Sequence, residues 1–158
     1  MISLKLIACS VGLYNFAKST LPLLLESVDS SPKPPTLLVT GATASLKGSA
    51  RFGAFAAGKF AKRALTQSLS REFGPKGVHV AHVIIDGIID IPRSKSLAPN
   101  NGVPDGKIDP AAVSLPPLRC DGPVLTRFQI ADSYWYLHEQ HRSAFTQELD
   151  LRPYAEKF

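Results

Sequence analysis

The sequence is poor in cysteine. Cys9 and Cys120 are the only two in 158 residues, too few for a disulfide framework, and neither has neighbours at metal-ligand spacing. The four histidines, His79, His82, His138 and His141, form no ligand set with cysteines or carboxylates on one helix, so no metal is expected. His79 and His82 stand three apart in an apolar run and therefore point to opposite faces of a strand. Long apolar runs are missing too. No stretch approaches the roughly 18 residues that span a bilayer. The segment 1–14, apolar but broken by Lys5, lacks the plan of a signal peptide. A cytoplasmic protein with no membrane partner is the expectation. Blocks of like charge are also absent. The net charge is +5, but Lys and Arg are scattered, which suits solvated helix faces and argues against a nucleic-acid partner.

What is present is organised around the stretch from Thr36 to Asp90. Leu37-Leu38-Val39 is a short apolar run, as expected for a strand buried on both faces. From Phe52, apolar residues recur at Phe55/Ala56, Phe60, Ala64/Leu65, Leu69 and Phe73, a helical spacing that stops at the breaker pair Gly74-Pro75. Val78 to Ile85 is a second, β-branched run, and Asp86-Gly87 is its turn. Strand, helix and strand make one parallel βαβ unit with a right-handed crossover.

Upstream, Met1 to Val28 has the apolar spacing of a helix, with Pro22 inside it to kink it or start a second set of turns. Residues 29–35 are a proline-rich linker. Downstream, residues 92–108 are rich in turn residues and read as a loop. Asp109-Pro110 is a helix start, but the pattern dissolves at Val113 and resumes only at Ile130. Without residues 113–129 the two pieces join into one capped amphipathic helix. The excised piece begins Val-Ser and ends in Gln, which GTAAGT and CAG encode, so 113–129 is expected to be an irregular insertion of translated-intron origin. The start of the chain would then reflect a misplaced first exon. Phe145, Gln147, Leu149 and Leu151 alternate with polar residues and predict a final strand with one wet face. The whole chain, 1–158, reads as one domain.

These motifs resemble the short-chain dehydrogenase/reductase family over residues 9–112 and 130–158. The likeness lies in a strand ending in a small polar loop, a helix carrying x-x-x-Lys, the run Val78-His79-Val80-Ala81-His82-Val83 ending at a glycine, and Glu148-Leu149-Asp150-Leu151-Arg152-Pro153-Tyr154. The resemblance implies an α/β fold: a partial Rossmann-like, doubly wound parallel sheet in three α/β/α layers, incomplete at its N-terminus. It also implies an NAD or NADP cofactor, hydride transfer with a small-molecule carbonyl or alcohol substrate, and a lid at 92–108. In that family the helix carries Tyr-x-x-x-Lys, the tyrosine moving the proton. Here the matching residues are Phe55 and Lys59. The family's serine position falls on Ala42, and its asparagine position on Cys9.

By resemblance, then, Lys59 would contact the cofactor ribose, Gly87 and Ile89 would approach the nicotinamide, and Thr43 or Ser45 would hold a substrate oxygen. Each has a plainer alternative. The two hydroxyls would satisfy a local turn, Lys59 would lay its stem over apolar surface, and Gly87 would serve a turn of positive φ. No glycine-rich turn of the kind that receives a pyrophosphate is found, since Gly41 and Gly48 alone are a weak signal. A phenyl ring cannot donate a proton, so no turnover is expected from this chain alone. The rival expectation is a non-catalytic interaction protein. It would form a homodimer, or a heterodimer with a paralogue, through helices 10–28 and 52–73.

Overall fold

The computed structural model describes residues 3–108 and 130–157, with side chains from Ser10 onward. Three helices and three strands alternate along the chain. They are α1 (Ser3–Glu26), β1 (Thr36–Thr40), α2 (Gly53–Phe73), β2 (His79–Ile85), α3 (Ile130–Glu139) and β3 (Glu148–Leu151). The sheet runs β1-β2-β3, parallel throughout. Thr36 stands opposite His79, and Val83 opposite Leu149.

β2 is central and every one of its residues is buried. That is why its sequence is a continuous apolar run and not an alternating one. Its two faces lead into two cores. Leu37, Val39, Val78 and Val80 meet Leu13, Ala17 and Leu21 of α1 on one side. Ala81, Val83 and Ile85 meet Leu137 of α3 and Ile108 on the other. Each fully buried side chain of this kind contributes roughly 1.5–3 kcal/mol. Helices α1 and α2 pack against each other, so one layer of two helices covers one face and α3 with the 88–108 loop covers the other.

Helix α1 continues through Pro22. The proline removes one N–H from the helix ladder, yet Pro22 and Lys18, four residues before it, are both exposed, so water can serve the freed carbonyl. Helix α2 ends at Phe73, at the expected breaker pair Gly74-Pro75, and the chain then tightens into a 3-10 turn over Gly74–Lys76 that closes at Gly77, at φ 90°. The final strand is shorter than the predicted 145–151. Phe145 leaves the pattern because its ring stacks on His79, with centroids 4.3 Å apart and planes 3° from parallel. The 92–108 loop contains 3-10 turns at Pro92–Ser94 and Pro99–Gly102. It is tied back by a parallel bridge between Ile89 and Ile108. Residues 109–112 and the expected insertion at 113–129 lie outside the described residues.

Candidate functional site

In a parallel α/β sheet the chemistry gathers outside the carboxyl ends of the strands. Here that end collects the turn after β1, the start of α2 and the segment after β2. The turn leaves the sheet through Gly41, whose N–H extends the ladder to the Val83 carbonyl at 2.6 Å. It then folds into a 3-10 turn over Thr43–Ser45, which packs on α2.

The structure places each sequence-predicted residue as follows. Ser45 is fully buried, and its Oγ accepts the Ala42 N–H at 3.1 Å. Thr43 Oγ1 donates to Asp86 Oδ1 at 2.5 Å. Asp86, itself buried, lies 3.3 Å from the Arg152 guanidinium, which also pairs with Asp150. Ser45 therefore serves its own turn, while Thr43 reaches across to the carboxylate that follows β2. Lys59 is half-buried, its ammonium 5.5 Å from the Phe55 ring centroid.

Gly87 corrects one expectation. It is not a positive-φ position, since only Gly77 and Gly102 are so among the described glycines. Its reason is close approach: a Cβ there would meet Pro153 Cδ at 2.7 Å. Ile89 gives its carbonyl to Ser94 Oγ at 2.5 Å. Around it, the Ile108 N–H binds the Ile88 carbonyl and the Asp90 N–H binds the Ile108 carbonyl, at 2.8 and 2.7 Å. The segment after β2 thus uses these backbone groups within its own loop, and Pro153 packs against Gly87.

A second cluster was not read from the sequence. Arg63 of α2 grips Glu148 of β3 with two bonds of 2.7 Å each. Glu148 Oε2 also lies 3.1 Å from Nδ1 of His82, which is fully buried. The Arg63 hydrogen bonds hold the Glu148 carboxyl below the usual carboxylate range, with His82 adding to the effect against partial burial. Burial pushes the His82 imidazole down, and the positive charges of Arg63 and Lys59 work the same way, against the pull of Glu148. A neutral His82 beside an acceptor-only carboxylate carries its proton on Nδ1. Nε2 then presents a lone pair with no hydrogen-bond partner among the described residues, aimed at Gly41. A Cβ on Gly41 would meet it at 2.3 Å. The signal for this cluster was available: a histidine inside a strand buried on both faces must find a polar partner.

No protein-family model and no curated protein matches the chain. Solved structures do. A short-chain dehydrogenase from Rhodopseudomonas palustris matches at 32% identity and TM-score 0.54, over 87% of this chain and 45% of that one. A short-chain dehydrogenase/reductase from Burkholderia xenovorans matches at 24% identity and TM-score 0.65, over 90% and 50%. A 4-hydroxyisoleucine dehydrogenase complexed with NADH and succinate matches at 17% identity and TM-score 0.65, over 92% and 54%. The chain spans about half the length of the structures it matches. With its parallel sheet between helical layers, it is a short-chain dehydrogenase/reductase-like chain with a partial Rossmann-like α/β fold.

Proposed function

We propose that this chain is an NAD(P)-type oxidoreductase by descent that does not itself transfer hydride. One observation carries the reading. One helical turn before Lys59, the side chain beside its ammonium is the phenyl ring of Phe55. Reduction of a carbonyl by hydride leaves an alkoxide that must take a proton, and a phenyl ring has none to give. The engaged hydroxyls of Thr43 and Ser45 and the closed 87–91 segment support the same conclusion. The test is titration of the purified, folded chain with NADPH and NADH, followed by nicotinamide fluorescence, and then a turnover assay with carbonyl compounds. The expected result is no saturable binding at micromolar concentration and no coenzyme oxidation. Saturable binding with carbonyl-dependent oxidation of NADPH or NADH overturns the proposal.

A second reading is that the chain acts by association through α1 and α2, as a homodimer or with a paralogue. The observation in its favour is that Phe16 and Leu23 of α1 and Phe60 of α2 are exposed, large apolar groups where solvent favours polar ones. Phe60→Asp would then abolish a dimer seen by light scattering. An unchanged dimer mass overturns this reading.

A further inference from the structure

Two polar side chains converge on one point beside Gly41, at the end of β1. A Cβ on Gly41 would lie 2.3 Å from His82 Nε2 and 3.0 Å from Ser45 Oγ. The Gly41 hydrogen that a Cβ would replace therefore points at the ring nitrogen, whose lone pair receives it as a weak C–H contact. Not even a methyl group fits between them, so the contact is closed by β1 and β2 themselves. His82 and Ser45 are both fully buried. The charged groups acting on His82 are Glu148 of β3 and Arg63 and Lys59 of α2. β1 and the turn 41–45 carry no charged residue. Glu148 Oε2 accepts the Nδ1 hydrogen at 3.1 Å, which leaves Nε2 as the atom that a second proton must join.

The neutral ring suits this place and the charged ring does not. A hydrogen on Nε2 would stand against the Gly41 hydrogen, a buried cationic donor with no acceptor, which is unfavourable. The acceptor beside that point is Ser45 Oγ. It now takes the Ala42 N–H at 3.1 Å, at the long end for such a bond. Nε2 has no partner among the described residues, so the hydroxyl must swing to serve the ring.

We propose that acidification switches the turn after β1 between two hydrogen-bond arrangements. With His82 neutral, Ser45 Oγ holds the Ala42 N–H. When Nε2 takes a proton from solvent, Ser45 Oγ releases Ala42 and accepts the new N–H. The turn shifts as a unit, because the Ser45 N–H bonds the Ala42 carbonyl and the Leu46 and Lys47 N–H groups share the Thr43 carbonyl. Its far contact is the Thr43 hydroxyl on the buried Asp86 carboxylate. A protonation inside the sheet is thereby passed to the carboxylate that follows β2, the kind of local charge change that a bistable turn reads out. Gly41 keeps its N–H on the Val83 carbonyl, so the sheet retains its register. The switch holds whether or not the chain binds a nicotinamide coenzyme.

The test is a proton and nitrogen-15 magnetic resonance titration of the full chain, from about pH 7.5 down to the onset of unfolding. At the upper end His82 Nε2 should resonate as an unprotonated nitrogen. As the ring titrates, below its ordinary 6.5, the Ala42 amide proton should move upfield with the same midpoint, because it loses its acceptor. The Gly41 amide should keep its protection from exchange throughout. Ser45→Ala removes the oxygen that the charged ring acquires, so the His82 midpoint should fall by a pH unit or more, a tenfold loss of proton affinity. The wild-type titration stands alone should Ser45→Ala fail to fold. An Ala42 amide that does not follow His82 overturns the proposal. So does a His82 midpoint that folded Ser45→Ala leaves unchanged, a ring that stays neutral until the whole chain unfolds, or a Gly41 amide that loses protection together with Ala42.

Discussion

Removing the charge of Glu148 tests whether the Arg63–Glu148–His82 cluster fastens α2 and β3 to the sheet. E148Q keeps the side chain's shape and one acceptor oxygen but loses the carboxylate that Arg63 holds through two short bonds. Exposed ion pairs contribute about 0–1 kcal/mol, while breaking a buried one costs about 3–5 kcal/mol. Arg63 and Glu148 are each 29% exposed, which sets the loss between those limits, at about 2 kcal/mol. In a domain of this size that lowers Tm by roughly 4–8 °C. The assay is urea unfolding at pH 7 followed by far-ultraviolet circular dichroism. E72Q, at the exposed Glu72–Lys76 pair, is the control and should change stability by less than about 0.5 kcal/mol. The pH dependence adds a sign. The folded carboxyl of Glu148 lies below its ordinary value of 4.5. Its contribution is therefore complete above that value and is lost as pH falls through the folded value. The gap between wild type and E148Q must close on acidification through that window. A gap under about 0.5 kcal/mol at pH 7, or one that persists unchanged in acid, refutes the reasoning.

Other outcomes follow from the same geometry. His82 has a folded value below its ordinary 6.5, so its unfolded state takes up protons first. Wild-type urea midpoints should begin to fall as pH drops below about 6.5, and a flat midpoint down to pH 5 contradicts this. Gly41→Ala drives a Cβ into the buried His82 ring. It should destabilise by about 1–3 kcal/mol in urea titration, since neither the strand end nor the ring has room to retreat. Phe55→Tyr places a phenol beside the Lys59 ammonium. An ultraviolet difference titration against wild type should show the added phenol ionising below its ordinary value of about 10, and an unshifted phenol would mean that Lys59 turns away from that ring.

The parallel βαβ unit was legible because each of its signals is local. A continuous apolar run, a helical period and a breaker pair need no knowledge of distant residues. Finer detail was less so. Gly74-Pro75 ends the α-helix at Phe73 as its propensities demand, but the tight turn that follows, up to left-handed Gly77, has no separate signal. The plainer reading of Gly87, a turn of positive φ, misses the residue that makes glycine necessary there, because Pro153 lies far along the chain. The same holds for the site. Lys59 and Phe55 are a motif in sequence and neighbours in space. Arg63, His82 and Glu148 come from three elements and meet only after the sheet forms. Only the improbability of two histidines in a doubly buried strand pointed to such a cluster, and it named no partner.

The stack of His79 on Phe145 gives the molecule an internal reporter. Two rings in parallel planes 4.3 Å apart place the imidazole protons inside the shielding cone of the phenyl ring current, and their resonances must move upfield. The sequence holds four histidines, so their carbon-bound ring protons form a small, readable set in a proton spectrum. His79 belongs to the central strand and Phe145 to the segment leading into the last one. The positions of the upfield His79 lines therefore state whether the final strand is seated, without labelling the protein.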